Sequence, residues 1–279
     1  MNAVTLTRFT PVRSVLDLRA EFERRQPQLA AAAQLALLAM LPCLLAMQID
    51  PRLTNGISVW IKPTKFLLSF AVYYATLAWF FGYLPRAAQH SRAGRFVIGT
   101  ALVAGLLEML WLVAAAANGV PSHYNVDALP WRLAYGAAGV GAVLLIAAIL
   151  VQGLLLARDR EVTLAPVFRA SLVAGAVVAF ATTLLAASYL SAASGHWVGA
   201  LPSDAGGLPV MGWSRSAGDL RVAHFWALHA HQAIPAAGAL LAAGKLRRPH
   251  AALAMAVAAY VALIGFTFAQ ALAGRPFVG

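Results

Sequence analysis

The chain has 279 residues, 61% hydrophobic and only 11% charged, with a formal net charge of +11. Soluble proteins carry roughly 25% charged residues, so this composition cannot cover a water-facing surface, and its apolar content excludes disorder. A single cysteine excludes a disulfide framework, a thiolate-held iron–sulfur cluster and a Cys-rich zinc site. The expected class is all-α, a polytopic membrane bundle of seven transmembrane helices.

Residues 1–28 read as a cytoplasmic amphipathic segment and residues 29–279 as the seven-helix transmembrane domain. Within the first segment, residues 14–25 have helical periodicity. Val15, Leu18 and Phe22 share a face, Ser14 and Asp17 form a capping pair, and the arginines lie on the polar side. This helix is expected to lie on the cytoplasmic leaflet. A helix needs about 20 apolar residues to cross a bilayer core of ~30 Å. Seven stretches qualify: 29–47, 66–84, 96–117, 133–157, 170–190, 222–243 and 251–272. Their Ala, Leu and Val content has no period-2 alternation, which argues against a β-barrel. Ala137 with Gly141, and Ser171 with Gly175, are small-residue pairs suited to close helix packing.

Lys and Arg orient the bundle. One side holds Arg8, Arg13, Arg19, Arg24, Arg25, Arg86, Arg92, Arg95, Arg158, Arg160, Arg169, Lys245, Arg247 and Arg248. The other holds Arg52, Lys62, Lys65, Arg132, Arg215, Arg221 and Arg275. Fourteen against seven places the amino terminus in the cytoplasm and the carboxyl terminus in the periplasm. The same bias accounts for most of the net charge, so no nucleic-acid partner is expected; the partner is the lipid bilayer. Longer, chemically richer loops fall on the less basic side, which is expected to carry the working surface.

The sixth span carries His224, His229, His231 and Gln232. On a regular helix His224 and His231 lie within about 20° of each other, Gln232 near 80° and His229 near 140° from His224. Leaving this half in lipid would strand polar groups, so it should face the bundle interior. Pro235 lacks the N–H that would bond the His231 carbonyl, and a kink is expected there. Glu108 is the only acidic residue inside any span. It lies about 14 Å below the external end of its helix, a depth similar to that of His231 and Gln232, which makes a Glu108–His contact reasonable.

Three histidines and a carboxylate match the ligands of zinc, copper or non-haem iron. His229 and His231 point about 160° apart, so one ion cannot take both on a regular helix. A metal site would combine one or two of these histidines with Glu108, His123 or His196. Haem, with a second axial histidine from His123 or His196, is another option, as are a bound quinone or lipid headgroup and a plain structural network. The expected site is a pocket open to the periplasm. His224, His229, His231, Glu108 and Gln232 form its floor and wall, and His123, Lys62, Lys65, Asp219 and Arg221 its mouth. Glu108 and His229 would move protons, and His224, His229 and His231 would hold a transition metal. His123, Lys62, Lys65, Asp219, Arg221 and Gln232 would contact a cofactor such as haem. The leading reading is a metal- or haem-binding membrane oxidoreductase; the alternative is a carrier or sensor that binds a small solute without chemistry.

Three phrases carry a resemblance: WIKPTKF at 60–66, PSHYN at 121–125, and GDLRVAHF at 218–225 followed by Leu228, His229 and Gln232. They resemble an uncharacterised group of bacterial multi-pass membrane proteins. The resemblance implies a bacterial inner-membrane location and supplies no mechanism.

Overall fold

A computed structural model describes residues 14–199, 203–244 and 246–279. Arg8, Arg13 and Lys245, which enter the charge bias, lie outside the described residues. Of the described residues 73% are helical, in keeping with the composition. Helix α1 (Val15–Arg25) leads into α2 (Pro27–Ile49), α3 (Ile61–Phe81), the single turn α4 (Arg86–Gln89), α5 (Arg92–Ala117) and α6 (Leu129–Arg158). Helices α7 (Pro166–Ala192), α8 (Leu220–Ala243) and α9 (Pro249–Leu272) complete the bundle. Two short hairpins, β1 (Leu53–Thr54) with β2 (Ile57–Ser58) and β3 (Trp197–Val198) with β4 (Gly218–Asp219), are antiparallel.

Six helices are long and apolar enough to cross a membrane: α2, α3, α5, α6, α7 and α9. Helix α8 has comparable length at 24 residues, but its three histidines, arginine and glutamine make it less apolar. Neighbouring long helices run in opposite directions. Tyr74 of α3 donates to the Ala101 carbonyl of α5, Gly153 of α6 faces Ala176 of α7, and Tyr260 of α9 donates to the Trp226 carbonyl of α8. Helices α3 and α6 are parallel: Tyr73 donates to the Leu145 carbonyl, and Gln152 donates to the Leu77 carbonyl.

The two small-residue pairs behave differently. A Cβ on Gly175 would lie 2.8 Å from Pro235 Cδ and 3.0 Å from the Ala230 carbonyl oxygen, and Ser171 meets Gly238 on the same α7–α8 seam. Gly141 meets nothing within 4 Å, and Ala137 is exposed. Close packing is thus found at Ser171 and Gly175 and not at Ala137 and Gly141, because α6 presents that half to the outside of the bundle.

Helix α1 starts as its sequence predicts: Ser14 Oγ accepts a bond from the Asp17 amide. Val15 and Leu16 are exposed, which leaves an apolar edge beside Arg19 and Arg24. Arg25 departs from the expected polar face. It is buried, pairs with Glu21 at 2.7 Å, donates to the Trp79 carbonyl at 2.8 Å and stacks over the Trp79 and Tyr83 rings. It meets the carbonyl end of α3, where a cation opposes the helix dipole.

Valine at position 175 should overpack the α7–α8 seam by about 1–3 kcal/mol. Gly175→Val should therefore lower the thermal midpoint in detergent by several degrees, while Gly141→Val leaves it unchanged. Equal midpoints for the two variants would show that the seam does not hold the bundle together.

Candidate functional site

One end of the bundle is covered by three interlocked connections. The first is the 50–60 segment. Its hairpin turns at Asn55 and Gly56, both at positive φ, the pairing favoured by a tight two-residue turn. Asp50 accepts bonds from Arg52 and from Trp60 Nε1, and these donors hold its carboxyl well below the usual carboxylate range. Arg52 also donates to the Ala117 carbonyl at the end of α5. The second connection, 118–128, folds inward. Trp111 donates to the Ser122 carbonyl, Asn125 and Ser122 are buried, and Tyr124 donates to the Leu190 carbonyl of α7. The third, between α7 and α8, docks on the first when the Asp204 amide donates to the Asn55 carbonyl at 2.8 Å.

Arg221 organises this cap. Its guanidinium pairs with Asp219 and Asp204, each at 2.7 Å, and donates to the Gly212 carbonyl. Asp219 is the N-cap of α8 and also accepts from the Ser214 amide. His196 Nε2 lies 3.1 Å from Asp204 Oδ1. Burial works to raise the Asp204 carboxyl, but the His196 hydrogen bond and the Arg221 charge outweigh it and hold it below its ordinary value. Burial pushes the His196 imidazole down, against the pull of Asp204. Gly218 in β4 sits so close to the Ala271 carbonyl of α9 that no side chain fits there. Lys65 donates to the Met211 carbonyl at 3.1 Å. Lys65, Asp219 and Arg221, expected at the mouth of a pocket, are thus engaged in holding the third connection down.

Below the cap lies a second polar group. His123, on the inward-folded connection, packs between Phe66 of α3 and Tyr135 of α6, with Ser122 Oγ 3.2 Å from its Nδ1. Burial and the nearby Lys62 charge hold its imidazole well below its ordinary value, so it is neutral. His224 of α8 is within electrostatic range of His123, and its Nδ1 is buried without a hydrogen-bond partner. Lys62 and Glu108 act on one another electrostatically but form no direct ion pair. Glu108 is buried, and its Oε2 has no partner.

The remaining residues of α8 lie apart from this group. His231 is buried with its ring edge-on to Phe80, in the last turn of α3. Gln232 Nε2 lies 3.3 Å from Thr76 Oγ1. His229 packs against Phe225, with ring centroids 4.2 Å apart. Glu108 therefore faces Lys62, not the deeper histidines. The helices do not begin level: contact with Phe80 sets His231 beside the far end of α3. No three His, Cys, Asp or Glu side chains converge to hold a metal ion among the described residues. The three histidines of α8 are turned to different neighbours by the helical spacing itself.

His196, expected as a candidate metal or haem ligand, instead bonds Asp204, which the sequence left without a role. Eight residues of separation in a long connection carry no signal that His196 will bond Asp204 and that Asp204 will pair with Arg221. No family model, curated protein or solved structure matches the chain.

A buried neutral histidine titrates more readily in the unfolded chain, near the ordinary value of about 6.5. The unfolded state then binds more protons below that pH, so stability present at pH 7.5 is lost on acidification. Asp204, held low, adds a loss in the same direction only at more acid pH. The thermal midpoint in detergent should fall between pH 7.5 and pH 5.5, and His123→Asn should flatten that slope. An unchanged slope in the variant would mean that His123 is not kept neutral by the fold.

Proposed function

We propose that the chain crosses a bacterial inner membrane seven times, with α8 as the sixth crossing. Its amino terminus lies in the cytoplasm and the capped end in the periplasm. We further propose that it binds a small ligand between Lys62 and Glu108, beside His123 and His224. The observation that carries the ligand reading is the unpaired Glu108 Oε2 opposite an ammonium that it does not touch. An unpaired amine and carboxyl in an apolar bundle are costly, and a molecule that bonds both removes that cost.

The chemistry at the two ends defines the ligand class. Lys62 donates only, so it asks for a carbonyl or carboxylate oxygen. Glu108 and the neutral imidazoles of His123 and His224 can each accept from a hydroxyl or amine, and Phe66 and Tyr135 offer aromatic walls. A quinone-type ring or a small carboxylic or amino acid meets these demands. The dispersal of His229 and His231 favours such a ligand over the metal or haem expected from residue types alone. Binding without chemistry, as in a carrier or sensor, needs nothing further from the site.

Thermal shift of the purified protein with short-chain ubiquinone, small carboxylic acids and small amino acids tests the ligand reading. One class should raise the midpoint of the wild type, and Glu108→Gln and Lys62→Met should each abolish the rise while His231→Asn keeps it. No rise with any class, or an equal rise in all variants, would overturn the reading. A stoichiometric metal or a Soret band would replace it with the oxidoreductase. Reporter fusions test the orientation. Fusions after Arg92 and Arg248 should report cytoplasm, and fusions after Asn125 and Gly207 periplasm; reversed signals would invert every loop assignment.

A further inference from the structure

At the end opposite the cap, an apolar groove of about 730 Å³ runs between α7 and α9. Ala170 and Ala174 form one wall, Ala254, Ala258 and Ala262 the other, and buried Leu253 part of the floor. From His250 at its mouth to Ala262 it follows α9 for roughly 18 Å at 1.5 Å per residue. One leaflet of a bilayer core is about 15 Å deep, half of the ~30 Å total. The groove therefore has about the length of an acyl chain within one leaflet.

The chain that leads into the mouth at His250 is cationic. Arg247 and Arg248 are exposed and form no ion pair among the described residues. Arg248 is the N-cap of α9 and supplies no side-chain cap; Pro249 has no N–H and the Ala252 amide bonds the Arg248 carbonyl, which leaves the His250 and Ala251 amides open at the same place. Arg169, at the start of α7, is occupied by the carbonyls of Leu156, Ala157 and Asp159. The acidic residues of the neighbouring connection, Asp159 and Glu161, lie between α6 and α7.

We infer that this groove seats an acyl chain of an anionic phospholipid, whose phosphate is held by Arg247, Arg248 and the open amides of α9. The small side chains of α7 and α9 leave room for the chain, and the paired arginines select the charge of the headgroup. The site is independent of the Lys62–Glu108 group, which lies toward the other end of the bundle.

Native mass spectrometry of delipidated full-length protein tests this. The probes are phosphatidylglycerol, phosphatidylcholine with the same chains, and glycerol phosphate, which has the headgroup and no chain. Phosphatidylglycerol should be retained at least about tenfold better than phosphatidylcholine, and glycerol phosphate should not be retained. Ala258→Trp should abolish retention by filling the groove. The Arg247→Gln, Arg248→Gln double variant changes only exposed side chains and should reduce phosphatidylglycerol to the level of phosphatidylcholine. Equal retention of the two lipids, retention of glycerol phosphate, or unchanged retention in either variant would overturn the assignment.

Discussion

A polar group inside hydrocarbon must find its partner within the protein, and α3 is where most of those partnerships meet. Tyr73 reaches a carbonyl of α6, Tyr74 a carbonyl of α5, and Thr76 the amide of Gln232 on α8. Gln152 of α6 returns a bond to the Leu77 carbonyl. Each bond crosses between helices that sequence order alone leaves unassigned. They place α3 among α5, α6 and α8, and leave α9 on the outside with the least buried apolar window of the six. Leu77 and Ala78 are fully buried at this crossing point.

The cap follows a related rule with charged groups. Asp219 and Asp204 are buried, and each would be costly alone. Arg221 serves both, and the connection between α7 and α8 closes around that ion-pair group as a result. That connection docks on the 50–60 hairpin through the Asp204 amide, while the inward-folded 118–128 segment is tied to α5 and α7 through Trp111 and Tyr124. The residues that hold the cap and the residues that face its underside are therefore different sets. Lys62 and Glu108 belong to the second set and act on one another without a direct ion pair.

Six of the apolar spans and the start of α1 at Ser14 were legible because they depend on composition and local spacing. The Ser171–Gly175 seam was legible for the same reason, and Ala137–Gly141 was misread because a small-residue pair says nothing about whether a partner arrives. Glu108 was recognisable as the one intramembrane acid, yet its partner depends on the relative offset of α3, α5 and α8, which no local pattern records. The histidines of α8 drew attention by their number. Their angular spacing already separated His229 from His231, and the aromatic neighbours Phe225 and Phe80 complete that separation. Arg25 looked like one more basic surface residue because nothing nearby in sequence announces Trp79 and Tyr83.

The Arg25 clasp has a consequence for biosynthesis. The guanidinium and the carbonyl that it binds are 54 residues apart, with all of α2 and most of α3 between them. Until the end of α3 has left the ribosome, Arg25 has no buried seat, and α1 must wait in water or at the lipid headgroups with its charge solvated. The amino-terminal helix is thus the first element synthesised among those described, yet it is fastened only after two hydrophobic segments have followed it. Its docking marks the completion of the first helical pair.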